Sequence, residues 1–373
     1  MIWPITMPSW GLSMEEGTIV AWHVNEGSRA AVGDELVEIE TSKITNRLEA
    51  VHEGVLRRHV VKSGQTVPCG DLIGIIATEE VAEAAIDEFI AKFPRPTRDA
   101  SRAGNSASSV STTVIELPCG GGLRCEALGQ HGSAVVLIHG FGGDSNTWLF
   151  NQGRLAESHR TYALDLPGHG GSSKRVDHGS IEELADSIGY ALDKLELDRI
   201  HLVGHSMGAA IVLALCERQP ERMASVALIA PFAFGARANP SYVADFVSAQ
   251  RSRDVQRSLA MLFADPKAIR REMVEGVVRY KRLDGVTEAL SKIAASVLLE
   301  PAPGSVLKIA MHRVLVLRGL RDDIVSDAQV PAGVRLETLT QSSHVPQMEE
   351  PGPVNRLLLE HFANADSDGG HAR

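Results

Sequence analysis

Between Pro94 and Thr113 the chain reads PRPTRDASRAGNSASSVSTT: five serines, three threonines, three alanines, two prolines, and Val110 as the one sizeable apolar side chain. Such a segment cannot bury enough surface to offset its ordering entropy, so it reads as a flexible linker. The 373 residues are thereby divided, and each side must build its own core. Just ahead of the linker, EEVAEAAIDEFIAKF spaces Val81, Ala84, Ile86, Phe89, Ile90 and Phe93 near helical period. That predicts a short helix which closes the first domain or docks on another surface.

The first 78 residues contain an internal repeat. GTIVAWHVNEGSRAAVGDELVEI, from Gly17, aligns without gaps on GVLRRHVVKSGQTVPCGDLIGII, from Gly54, at an offset of 37. Gly17/Gly54, Gly27/Gly64, Gly33/Gly70 and Asp34/Asp71 pair in one register. Short apolar runs between glycine-marked turns read as strands, so this half is a small β-sandwich of two similar parts. Between the parts lies IETSKITNRLEA, expected as a hairpin joining the two sheets with Ser42 and Lys43 near its tip.

A lone lysine on a turn is ordinarily a solvated charge, but here it stands at the pseudo-symmetry point of a repeated sandwich. With MPSWGLSMEEG, Gly27, Glu40 and ETSKITN, this half resembles a lipoyl domain of the biotinyl/lipoyl type. The resemblance covers nearly all of residues 1–78 and implies covalent lipoate on Lys43. A biotin carrier has a similar fold, but methionines usually flank its lysine; here Ser42 and Ile44 do.

Beyond the linker, continuous apolar runs alternate with helical patterns, the mark of a mostly parallel sheet buried on both faces. VVLIH (135–139), TYALD (161–165), IHLVG (200–204), VALIA (226–230) and VLVLR (314–318) are the strands. The stretch VGHSMGA places Ser206 directly after one of them and directly before the apolar helix MGAAIVLAL. A G-x-S-x-G string alone is weak; in this setting it is a strand–turn–helix elbow that exposes a serine hydroxyl.

A serine nucleophile needs a base, and the base an orienting carboxylate. GLRDDIV after the strand VLVLR and QSSHVPQMEEP further on supply Asp322 and His344, in the order Ser206, Asp322, His344. IHGFGG (138–143) offers the Phe141 N–H, which with that of Met207 would make an oxyanion hole. With LDLPGHGGS (164–172), residues 114–365 resemble the α/β-hydrolase family. Its G-x-x-D spacing from Gly319 selects Asp322 over Asp323, and it implies that His139, His169 and His205 support loops and that Asp165 is structural. Many relatives have an aromatic before the glycine and a proline after the valine; Arg318 and Ser326 hold those places here.

Residues 232–312 read as a helical lid. They hold twelve Lys and Arg against eight Asp and Glu, whereas residues 1–80 hold six against twelve. Scattered solvated charge is one reading. The sharper one is that basic lid residues, with Arg270, Arg271, Lys281 and Arg282 as candidates, serve a phosphate-bearing ligand and attract the acidic carrier.

The expected domains are 1–78 (carrier), 79–113 (helix and linker) and 114–373 (acyltransferase). The whole arrangement resembles the acetyltransferase subunit of acetoin dehydrogenase systems. That implies acetyl transfer from S-acetyldihydrolipoyl-Lys43 to coenzyme A, within a multienzyme complex. Its partners would be a thiamine-diphosphate-dependent acetoin-cleaving enzyme and dihydrolipoamide dehydrogenase. The H-x-x-x-D-G motif of the broader 2-oxo acid dehydrogenase acyltransferases is missing, and there is no room for their subunit-binding domain. An ester or thioester hydrolase that carries a lipoyl domain, and a carrier with an idle second domain, remain alternatives.

The formal net charge of -10 argues against a nucleic-acid partner. No metal-ligand or disulfide spacing relates Cys69, Cys119, Cys125 and Cys216, and free thiols in a reducing cytoplasm are expected. No apolar run approaches the roughly 20 residues of a membrane span, and no signal peptide is evident.

Overall fold

A computed structural model describes residues 2–8, 16–40, 45–93, 110–298, 302, 309–326 and 328–369. The chain forms two compact units, Met1–Ala107 with Arg270–Glu272 and Ser108–Ile269 with Met273–Arg373.

The first unit is a sandwich of two four-stranded sheets. Its strands are β1 (Ile2–Thr6), β2 (Glu16–Trp22), β3 (Arg29–Ala30), β4 (Glu35–Glu40), β5 (Thr45–Glu49), β6 (Gly54–His59), β7 (Thr66–Pro68) and β8 (Leu72–Ala77). One sheet runs β1-β8-β6-β3, the other β5-β4-β2-β7. The repeat is a backbone symmetry. Gly27 N–H donates to Leu56 O at 2.7 Å, and thirty-seven residues on Gly64 N–H donates to Ile19 O at 2.7 Å. Gly33 and Gly70 match in the same way, reaching Ala50 O and Met7 O at 2.8 Å each. All four glycines have φ between +83° and +93°, a region that side chains disfavour. Ile19, Leu36, Ile39, Leu56 and Ile73 fill the space between the sheets.

The expected hairpin exists but joins strands of one sheet, not two. β4 and β5 pair antiparallel down to Glu40↔Thr45. The short strands β3 and β7 are what cross between sheets, each pairing with a long strand of the other half. Thr41–Ile44, Lys43 included, lie outside the described residues.

The predicted helix is Glu83–Lys92. Ile86, Phe89, Ile90 and Phe93 pack on Leu72 and Ile75 of β8, and Arg57 and Arg58 both pair with Glu83. The helix therefore belongs to the first unit. Residues 94–109 of the expected linker are not described, and its last three residues are strand, as β9 starts at Ser111.

The second unit is an eight-stranded sheet in the order β16-β15-β14-β13-β11-β12-β10-β9. The strands are β9 (Ser111–Glu116), β10 (Gly122–Leu128), β11 (Ala134–Ile138), β12 (Arg160–Leu164), β13 (Ile200–His205), β14 (Met223–Ile229), β15 (Val314–Gly319) and β16 (Arg335–Leu339). β9 and β10 are antiparallel additions, and from β12 to β16 neighbours run parallel. Alternate residues of β11 face opposite layers. Val136 and Ile138 meet the layer built on helices Ile181–Lys194 and Met207–Arg218. Val135 and Leu137 meet Trp148 and the apolar side of helix Pro351–Gly369. Helices Pro240–Ser248, Ser252–Ala260, Arg271–Lys281 and Val286–Ile293 fill the expected lid between β14 and β15.

Candidate active site

Ser206 ends the run of β13 and opens helix Met207–Arg218 with φ +52°, ψ −119°, a strained conformation for a residue with a side chain. The flanking glycines make it possible. A Cβ on Gly204 would lie 2.6 Å from Gly208 O, and one on Gly208 would lie 2.5 Å from Ile138 O. The G-x-S-x-G spacing is thus steric on both sides of the serine.

The strand ends bring His344 and Asp322 to it. His344 Nε2 lies 2.9 Å from Ser206 Oγ, and His344 Nδ1 lies 2.9 Å from Asp322 Oδ2. Asp322 Oδ1 accepts the N–H groups of Ile324 and Val325 at 2.9 and 3.2 Å. Burial alone would raise the Asp322 carboxyl, but His344 and those hydrogen bonds outweigh it and hold the group below its ordinary range. An ionised Asp322 keeps the proton on His344 Nδ1 and aims the Nε2 lone pair at the hydroxyl.

His344 is anchored through its backbone as well. His205 Nε2 donates to His344 O at 2.8 Å, and His344 N–H donates to Leu262 O at 3.0 Å. Glu349 bridges the same region, accepting Ala264 N–H at 2.7 Å and Ser343 N–H at 2.8 Å. His205 was expected to support a loop, but its partner was not legible, and neither was the support from Leu262. His205 adjoins the nucleophile in sequence, but the carbonyl it holds is 139 residues away.

The loop after β11 closes the other side. A Cβ on Gly140 would lie 2.9 Å from Ser206 Cβ, which sets Phe141 beside the nucleophile. Met207 N–H, in the first helical turn, has no intrahelical acceptor. The Phe141 ring meets Phe246 edge to face at 5.8 Å, and a Cβ on Gly142 would lie 2.4 Å from the Phe246 ring. Lid helix Pro240–Ser248, which carries Phe246, therefore fixes this loop.

The competing residues are occupied structurally. His139 Nδ1 donates to Gly140 O at 2.7 Å and its Nε2 accepts Leu166 N–H at 3.0 Å. Burial pushes His169 and His205 down to about 3. Asp165 accepts from Ser145 N–H, Gly171 N–H and Arg124. Asp323 is exposed. Ser326, where relatives have proline, donates its N–H to Arg237 O at 2.9 Å and accepts Arg237 N–H on Oγ at 3.0 Å. A proline could not make the first of these bonds.

One lid candidate is corrected. Lys281 is only 7% exposed and donates to Phe246 O and, at 3.2 Å, Val247 O, with its ammonium 4.7 Å from the Phe246 ring centre. Burial pushes its amine down to about 8. It braces the lid and is not free to hold a phosphate.

Comparison with known proteins places both units. A family model described as biotin-requiring enzyme matches residues 4–76, and one for the alpha/beta hydrolase fold matches residues 133–273. In the second unit the fold is that of a meta-cleavage product hydrolase from Pseudomonas fluorescens, with TM-score 0.60 and 21% identity over 68% of this chain and 98% of that one. The dihydrolipoyllysine-residue acetyltransferase component of the acetoin cleaving system of Pseudomonas putida is 37% identical, covering 95% of this chain and 97% of that protein. Its counterpart from Cupriavidus necator is 39% identical over 368 residues, 96% of this chain and 97% of that protein. With like matches across both units, the chain belongs to the family of dihydrolipoyllysine-residue acetyltransferase components of acetoin cleaving systems.

Proposed function

We propose that the chain moves an acetyl group from dihydrolipoyl-Lys43 to coenzyme A through Ser206, as the acetyltransferase of an acetoin-cleaving complex. The observation that carries this reading is the Ser206–His344–Asp322 chain of 2.9 Å contacts, in a polypeptide whose other unit is a lipoyl-type sandwich. The carrier ends at Phe93, the tether is 94–109, and the catalytic domain starts at Val110. The partners are a thiamine-diphosphate-dependent enzyme that cleaves acetoin and dihydrolipoamide dehydrogenase, and the setting is the cytoplasm.

Lipoate fits the carrier by connectivity. Lys43 lies in the four-residue connection between β4 and β5, which pair up to Glu40↔Thr45, and the arm would be held by an amide on its Nζ. When bound, the group supplies a thiol that carries acetyl as a thioester.

His344 takes the proton of Ser206 Oγ as the oxygen attacks the thioester carbonyl. The Phe141 and Met207 N–H groups receive the developing oxyanion. His344 passes its proton to the departing sulfur, leaving acetyl on Ser206. It then takes the proton of the coenzyme A thiol, whose sulfur attacks the acyl-serine, and returns that proton to Ser206. The lid excludes water, which would otherwise give free acetate.

Product analysis with acetylated carrier and coenzyme A tests the reading. Acetyl-CoA is expected, and acetate as the main product would make the chain a hydrolase. Ser206→Ala should abolish transfer; near-normal acetyl-CoA formation by that variant would sink the acyl-serine route in favour of direct thiol attack.

A further inference from the structure

At the opposite end of β13 from Ser206, roughly 16 Å away at the usual rise per strand residue, two histidines and a carboxylate converge. We propose that His159, His201 and Asp366 bind one divalent first-row transition-metal ion of the zinc type, a site separate from the acyl-transfer centre. One ligand atom from each lies within 4.8 Å of those of the other two. His201 Nε2 is 3.3 Å from Asp366 Oδ1. Tetrahedral coordination with bonds of about 2.0–2.2 Å puts donor atoms about 3.4 Å apart, so this pair is already spaced as two ligands of one ion. Ser133 Oγ lies 3.0 Å from His201 Nε2 and 2.8 Å from Asp366 Oδ2, at the position of a neutral fourth donor or of the water that replaces it.

The outer contacts are those of metal-binding imidazoles. His201 Nδ1 is 2.9 Å from Ser225 Oγ, and His159 Nδ1 is 2.9 Å from Ser158 Oγ. Holding Nδ1 in each ring leaves Nε2 for the ion and fixes the ring's orientation. Two imidazoles and one carboxylate suit zinc, cobalt or nickel and not the oxygen-only preference of magnesium or calcium. The ion would join the sheet, through His201 on β13 and His159 next to β12, to the last helix, through Asp366.

The test uses the untagged, lipoylated full-length protein after chelator treatment, titrated with Co²⁺. About one equivalent should bind with the intense visible absorption of tetrahedral cobalt, and Zn²⁺ should compete with it and raise Tm by several degrees. Asp366→Asn, at an exposed position, and His159→Gln should each weaken binding by about tenfold or more. Asp366→Asn should keep wild-type acetyl transfer, and His344→Gln should keep wild-type cobalt binding. No stoichiometric cobalt band, or a band that both site variants keep unchanged, would overturn the proposal and leave a metal-free hydrogen-bonded cluster. A band lost in His344→Gln would place the metal at the acyl-transfer site, which also overturns it.

Discussion

His205 Nε2 holds the backbone carbonyl of His344 at 2.8 Å, so the residue before Ser206 positions the imidazole whose Nε2 lies 2.9 Å from Ser206 Oγ. A neutral hydrogen bond of this kind contributes roughly 1 kcal/mol, about fivefold in rate. His205→Ala should lower kcat by about that factor with KM unchanged, and His205→Gln should recover part of the loss. Steady-state kinetics with acetylated carrier decide it, and a change confined to KM would refute the positioning role.

Asp322 carries a full charge and two backbone hydrogen bonds, so its amide is a harsher change than its size indicates. Asp322→Asn should cut kcat by about 10³–10⁴, because the amide stabilises neither the required tautomer nor the imidazolium. Circular dichroism should remain that of the parent, and a variant within tenfold of wild-type activity would remove Asp322 from the triad.

The buried histidines make the second unit acid-labile. His169 and His205 are pushed down to about 3 and His201 to about 4, in each case mainly by burial. The unfolded chain binds these protons near pH 6.5 and the folded chain does not, so stability falls as pH drops from about 6.5 toward 4. At pH 5.5 the loss is about 1.4 kcal/mol for each such group. Urea midpoints at pH 7.5 and 5.5 measure it, and His169→Gln should shrink the difference. A midpoint independent of pH across that range would contradict the assignment.

Lys281 steadies Phe246 against the loop that carries Phe141. Lys281→Met keeps the apolar stem but leaves two helix-terminal carbonyls without their donor. On the proposed acyl-serine route a looser lid admits water, so the ratio of acetate to acetyl-CoA should rise several-fold while total turnover changes little. Chromatographic product ratios test this, and an unchanged ratio would separate Lys281 from water exclusion.

The parts that could be read from sequence were those fixed by local steric demand. The elbow was visible because both glycines around Ser206 are forced by backbone contacts, and the repeat because its turns need positive φ. The fully buried strands were visible as apolar runs. β9 was not, because an edge strand whose Ser111, Thr112, Thr113 and Val114 are all exposed needs no apolar pattern. Nor could the sheet assignment of the β4–β5 hairpin be read, since a repeat fixes the equivalence of two halves but not which strands they exchange. Leu262 and Lys281 act on residues far along the chain through carbonyl groups, which leave no mark in a side-chain pattern.

Leu262 and Ala264 lie in the lid, yet one holds the backbone of His344 and the other shares Glu349 with Ser343. The lid is therefore not an interchangeable cap on a finished triad. Grafting a lid from another member of the fold, or trimming this one to widen the entrance, removes an anchor of the base together with the cover. Changes of acyl acceptor in this architecture must then be inherited as matched pairs, a lid segment with the loop from Ser342 to Glu350.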